Sequence, residues 1–576
     1  KGLAALLAEA DRVARFGFTQ TELDRYRLTM LRAFEQLASS TDEHTSTSLA
    51  DEFVRAFTQG EPIPGIAYEY ALVRRFLPEI TLADVNGLAG DWIPERNRVV
   101  SVTAPRKDGV AVATEASLAA VIKDAGAAAL TAYVDTVSAT PLLAAPPRPG
   151  TVAKAEAKPS GLTEWTLSNG ARVVLQPTTF KQDEVLFRAF SPGGTSLAAD
   201  GDFIAAETAD RIVAQGGLGT SSALDVSKKL AGKTALVRPD IDEMYEGLHG
   251  RALKRDLETM FQLIYLTFTQ PRPDAEAFRT ATEQLNAALA NRQALPEAAF
   301  EDALTAALSQ NHVRALPLTR ESIGQMSLDK SMAFYRDRFA DASDFTFVFV
   351  GSFDLPTIKP LVERYLASLP ALHRNEVGRD VGIRPPAGVV EKLVTRGTTP
   401  KSQVGVVFTG PFENTPLNRL VVRTMADTLA GNLQRVLRED LGGTYGVSVA
   451  PAFTKQPAET YSVSIIFACD PARADDLVKA LFAVVDDFKT RGPSAGQVAD
   501  AQAALRRDLE IDSRQNGSLL NRIAFAYQYN EPVPDAATLR GAYDQLSVPL
   551  LRDAANTYLD VKRYVKVVLM PEGSTP

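Results

Sequence analysis

The stretch ITLADVNGLAGDWIPERNRVVSVTAP, Ile80 to Pro105, aligns without gaps against LSVPLLRDAANTYLDVKRYVKVVLMP, Leu546 to Pro571. A third copy, MSLDKSMAFYRDRFADASDFTFVFVG, runs from Met326 to Gly351. In each, a Thr or Ser caps a short helix, an aromatic or bulky residue closes it, and a β-branched strand follows. A second match lies upstream of two of them: GFTQTELDRYRLTMLRAFE (Gly17 to Glu35) against GPSAGQVADAQAALRRDLE (Gly492 to Glu510). Each opens with Gly, then a Thr or Ser suited to N-capping, then a helical pattern. Helices and a strand thus recur in one order, which predicts a repeated architecture.

The copies divide the chain. Residues 1–139 hold the rear part of one unit, without its front half. Residues 140–161 carry prolines at 141, 146, 147, 149 and 159 and read as a semi-extended linker. A complete unit spans 162–375 and opens at LSNGARVVLQP (Leu167 to Pro177), where Asn169-Gly170 predicts a tight hairpin turn. The last spans 376–576, with its first strand near VVEKLV (Val389 to Val394). Strands followed by helices in each unit predict an α+β fold of helix-covered sheets.

At 576 residues the chain exceeds one core, and 45% hydrophobic with 23% charged residues is an ordinary globular composition. A net charge of -8 and the lack of any Lys/Arg-rich run give no reason to expect nucleic acid. No window reaches the roughly 18 apolar residues of a membrane span. The first residues, KGLAALLAEADRVARFG, carry acids at Glu9 and Asp11 and resemble a helix entered midway rather than a signal peptide, so the chain reads as a fragment. Cys469, the only cysteine, ends the apolar run YSVSIIFAC and reads as a buried core thiol. The compartment stays open, with a bacterial periplasmic or secreted location favoured over the cytoplasm by the alanine-rich style and the single cysteine.

The four histidines, His44, His249, His312 and His373, include no two within five residues, so no helical pair of metal ligands is present. STDEH (Ser40 to His44) reads better as a capping box of Ser40 and Glu43. His249 reads as the start of a surface helix, and His312 and His373 as loop residues. AQGGLGTSS (Ala214 to Ser222) lacks the frame of a phosphate loop and reads as a turn.

One corner stands apart: LREDLGGTYGVSV, Leu437 to Val449. From Pro416 the apolar residues at 417, 420, 421, 425, 429, 433, 436 and 437 predict a helix with one buried face. Gly442 and Gly443 can take the positive φ that ends it. Arg438 in its last turn suits the helix dipole. Tyr445, Val447 and Val449 are then expected on one face of the following strand. Taken alone, the residues describe a capped helix, a helix-end arginine and a core tyrosine.

The motif LR-x-x-LGG-x-Y-x-V, after a long helix in the last copy of a repeated unit, resembles the pitrilysin and insulin-degrading family of zinc metallopeptidases (inverzincins), which includes mitochondrial processing peptidase. LSNGARVVLQP resembles the opening of a family domain, and FVFVGSFDLPTIKPLVERYLASLP (Phe347 to Pro370) its close. The resemblance implies half of a clamshell: the rear of the second family domain, the linker, a degenerate third domain and the fourth. Family catalysis uses a His-x-x-Glu-His motif in the first domain, whose glutamate activates the zinc-bound water as general base. Here the equivalent place in the third domain is ETADRIVAQGG, where Glu207, Asp210 and Arg211 stand at the positions of His, Glu and His. An arginine cannot ligate zinc, so no metal is expected in this chain, and zinc is expected in the full-length parent.

Arg438 and Tyr445 match, at the same spacing, the family arginine and tyrosine that reach the substrate. Their implied role is to bind the peptide carbonyl and the oxyanion formed on water attack. The resemblance therefore implies the substrate-binding C-terminal part of a zinc-dependent endopeptidase, inactive alone, whose partners are peptide substrates and the N-terminal zinc-bearing half. The alternative is a non-catalytic partner or scaffold subunit of a peptidase-like complex.

Overall fold

The computed structural model describes residues 2–39, 46–92, 97–103, 112–127, 129–136 and 140–573. Two compact units result: Lys1–Ala144 with Leu224–Ala235, and Ala145–Ala223 with Leu236–Pro576.

In the first segment of the first unit the described elements are helices: Gly2–Phe16, Gln20–Ser39, Ser46–Gln59, Ile66–Phe76, Leu82–Trp92 and Glu115–Gly126; its second segment adds the helix Ala223–Lys229. Their starts follow the expected chemistry. Thr19 and Glu22 exchange side-chain and backbone bonds as a capping box (Thr19 N–H to Glu22 at 2.8 Å, Glu22 N–H to Thr19 at 3.3 Å). Thr81 and Asp84 do the same. The strand expected after Leu82–Trp92 does not form over the described residues 97–103. A β-strand needs a neighbour to pair with, and no described segment within residues 2–136 is a strand. The expected Ser40–Glu43 capping box, and His44, lie outside the described residues.

The second unit contains both sheets. The first is built from β1 (Val152–Ala157), β2 (Thr163–Leu167), β3 (Arg172–Pro177), β4 (Val185–Pro192), β5 (Ala235–Ile241), β6 (Tyr245–Ala252) and β7 (Thr346–Gly351), in the order β1-β2-β3-β7-β4-β6-β5. The second holds β8 (Val390–Thr395), β9 (Ser402–Pro411), β10 (Thr444–Thr454), β11 (Thr460–Cys469) and β12 (Tyr564–Met570), in the order β10-β11-β9-β12-β8. β3-β7-β4-β6-β5 and β8-β12-β9-β11-β10 are one arrangement: a parallel pair, then antiparallel neighbours. Shared topology is what the sequence repeat encodes. The α+β expectation holds. The 140–161 linker reading needs correction, because β1 lies inside it and pairs antiparallel with β2. β1 is an edge strand, where sparse apolar residues and nearby prolines are tolerated.

Both sheets are covered on both faces, so their central strands read as continuous apolar runs. All six residues of β7 are buried. Phe349 stacks between Phe187 and Phe261 at centroid distances of 5.3 and 5.2 Å. Val348 and Val350 pack on the opposite side with Leu520 and Ile523 of the helix Asn516–Gln528. That helix follows the second sheet's β11 in sequence, yet it covers the first sheet. The exchange is reciprocal: Phe300 and Ala307 of the helix Pro296–Leu308 pack on Val565, Val567 and Leu569 of β12. Each repeat thus completes the other's core.

The hairpin at Asn169-Gly170 forms, with Gly170 at φ 93°. Asn169 is buried and its amide donates to the Leu366 and Leu369 carbonyls, which closes the helical segment after β7. Cys469 is buried in the second core, and burial pushes its thiol up to about 11. His249 is an exposed residue of β6 opposite Arg188, not a helix start; the next long helix is Leu257–Thr269. His312 bonds the Val381 carbonyl at 3.0 Å.

Candidate functional site

The helix Pro416–Leu433 starts at Thr415, whose hydroxyl accepts the Asn418 N–H, with Pro416 at its first position. Val421, Met425, Leu429 and Leu433 are buried, as their spacing predicts. The helix then widens into a π-type turn, Gln434–Asp440. Its carbonyls are taken at longer range: Leu441 N–H bonds Val436 at 3.0 Å and Gly443 N–H bonds Leu437 at 2.9 Å. Widened turns of this kind concentrate at functional positions.

The two glycines divide the work. Gly442 takes the positive φ, 58°. Gly443 does not; it is needed for space, since a Cβ there would come within 2.5 Å of the Leu477 side chain. Leu437 sits fully buried against this break, while Arg438 beside it is exposed.

Tyr445 departs from expectation. Thr444 pairs with Cys469 and Val447 with Phe467, so β10 carries one extra residue over this interval. The bulge removes Tyr445 from the face it was expected to share with Val447 and Val449. Those two valines pack on the core, whereas Tyr445 is 97% exposed. It is not a core tyrosine. Among the described residues neither the Tyr445 hydroxyl nor the Arg438 guanidinium has a hydrogen-bond or ion-pair partner, although the neighbouring Arg435 is paired with Asp440 at 2.9 Å. Two strong donors therefore stand free at one corner, on either side of a double-glycine break. β10 itself is the edge strand of its sheet.

Glu207 ends the short helix Phe203–Glu207, and Asp210 and Arg211 begin the next, Ala209–Gly216. A break at Thr208 thus separates residues that a helical ligand set would hold on one face. Desolvation, then the Asp210 charge, raise the Glu207 carboxyl to about 7, although its exposed edge lets solvent screen part of that effect. Asp210 is raised too, chiefly by burial. Arg211 places a fixed positive charge where a donor lone pair would be required. These residues do not fit zinc, and among the described residues no three His, Cys, Asp or Glu side chains gather as a metal site.

Residues 325–505 match the model of the peptidase M16 inactive domain. That segment of the chain is therefore similar to the inactive domain of M16 peptidases. It is 24% identical to a zinc protease PQQL-like protein of Arabidopsis thaliana, covering 98% of this chain and 59% of the relative. The crystal structure of the periplasmic protease PqqL from Escherichia coli superposes with a TM-score of 0.68 at 21% identity, covering 99% of this chain and 63% of that one. The ferredoxin protease FusC, solved as a mutant with Arabidopsis ferredoxin, gives a TM-score of 0.70 at 18% identity over the same shares. The chain thus spans about three fifths of the length of these relatives. No described helix is long and apolar enough to cross a membrane.

The sequence singled out Arg438 and Tyr445, and the structure places both at the exposed corner. It did not single out Gln434 or Thr444, which hold that corner, because a side-chain bond to a bulged strand leaves no periodic signal.

Proposed function

We propose that this chain is the substrate-binding C-terminal part of a zinc-dependent M16 endopeptidase that hydrolyses peptides or unfolded proteins. Its partner is an N-terminal half that carries the zinc, because the residues at 207–211 cannot. The observation that carries the reading is the corner at 438–445, where a guanidinium and a phenol are held exposed and unpaired. When water attacks a peptide carbonyl, negative charge develops on its oxygen, and donors already in place are worth roughly 3–4 kcal/mol each. Arg438 and Tyr445 supply such donors and bring no competing metal ligand. β10 begins at this corner, and an edge strand suits an extended peptide whose backbone adds to a sheet. The periplasmic naming of the Escherichia coli relative supports a periplasmic location.

A second reading, a non-catalytic partner subunit, draws on the broken 207–211 site. Hydrolysis of a quenched unstructured peptide by the full-length protein, with and without a zinc chelator, separates the two. Chelator-sensitive cleavage is expected; no cleavage by folded, zinc-supplied protein would favour the partner subunit.

A further inference from the structure

One side chain joins the turn that carries Arg438 to the strand that carries Tyr445. Gln434 opens the widened turn, and its side-chain carbonyl accepts the Val447 N–H at 3.1 Å. Val447 is the first residue of β10 back in register after the bulge. On the other side of Tyr445, the Thr444 hydroxyl donates to the Gly446 carbonyl at 3.0 Å and accepts the Gly446 N–H at 3.3 Å. Gly446 lies against the same amide: a Cβ there would sit 3.8 Å from Gln434 Oε1.

Tyr445 contributes nothing to its own placement. With its side chain 97% exposed, no packing fixes where the phenol stands, so its position is inherited from the backbone. That backbone is held from one side by Thr444 and from the other by Gln434. Bulges re-aim a side chain only as well as they are themselves fixed.

We infer that Gln434 is a positioning residue for Tyr445, tying its strand to the helix that carries Arg438, with Thr444 closing the bulge. This rests on the proposed role of the pair in peptide hydrolysis. Misplacement of a reacting group by about 1 Å can cost about a hundredfold in rate. Loss of the clamp should therefore appear in turnover rather than in folding.

The test uses the full-length protein and a quenched unstructured peptide, with kcat and KM measured separately. Gln434→Leu keeps the volume and removes the acceptor; it should lower kcat by about ten- to a hundredfold with KM within about twofold. Thr444→Val should act in the same direction, and Thr444→Ser, which keeps the hydroxyl, should remain within about twofold of the parent. In a Tyr445→Phe background, Gln434→Leu should cost less than about twofold more, because the group it positions is already gone. The inference is overturned if Gln434→Leu and Thr444→Val both leave kcat unchanged while Tyr445→Phe is impaired. It is also overturned if the losses multiply in the double variant, the mark of a structural role alone. An unimpaired Tyr445→Phe overturns instead the reading of the pair on which it rests.

Discussion

The ring of Phe300 lies over the bare Cα of Gly405, so close that a Cβ at Gly405 would fall 2.7 Å from the ring's Cζ. Phe300 comes from the helix Pro296–Leu308 and Gly405 from β9, so this contact joins the two repeats. Phe300 is 1% exposed and caps the apolar face of β12 with Ala307. Phe300→Ala should destabilise the unit by about 3–5 kcal/mol through lost transfer energy and a cavity. Gly405→Ala, which overfills the same place, should cost about 1–3 kcal/mol. Urea unfolding of the two variants checks both; wild-type midpoints would mean that the repeats do not share a core.

The reciprocal contact should behave alike. Ile523 is fully buried on the first sheet against Val348 and Val350. Ile523→Ala is expected to cost about 2–5 kcal/mol. The loss should be visible in hydrogen exchange of β7 as well as of the helix itself, since the cover of that strand's second face is removed. Faster exchange confined to the helix would contradict the interlock.

Burial pushes the Glu246 carboxyl up to about 8, against the Gly194 N–H and Arg338, which favour its charge. An unfolded glutamate releases its proton near 4.5, so between these pH values the folded state holds the extra proton. The stability tied to this group is greatest below about 4.5 and falls as the pH rises through about 8. Glu246→Gln should flatten the fall by at most one proton, about 1.4 kcal/mol per pH unit. Denaturant midpoints between pH 5 and 8, for parent and variant, measure it; equal slopes would rule the group out.

Titration of the chain with zinc should give no stoichiometric tight site. Glu207, Asp210 and Arg211 supply two carboxylates separated by a helix break and one cation. A one-to-one complex with three-ligand geometry would contradict the account of that corner.

Much of the fold was legible because caps and glycines leave local marks. Gly17 and Gly492, aligned in the sequence, both end a helix at positive φ, 72° and 73°. Each also lies against an aligned partner: a Cβ at Gly17 would meet Asn86, and one at Gly492 would meet Arg552. What was not legible depends on distant partners. The residues before Pro105 have strand composition, yet those described remain unpaired. β1 has poor strand composition but finds β2. The bulge that exposes Tyr445 is a mismatch between two strands, so strict alternation along one of them placed the tyrosine in the core. The exchange of helices between sheets has no sequence mark, because an apolar face does not state what covers it.

The most direct measurement is the turnover of a quenched unstructured peptide by full-length protein carrying Tyr445→Phe. The change removes one hydroxyl from a side chain that packs on nothing, so folding should be untouched. The account predicts a fall in kcat of about 10²–10³-fold, the usual effect of losing one oxyanion donor, with KM little changed. Parent-like turnover in a folded, zinc-supplied enzyme would remove Tyr445 from the chemistry and leave the corner as a turn.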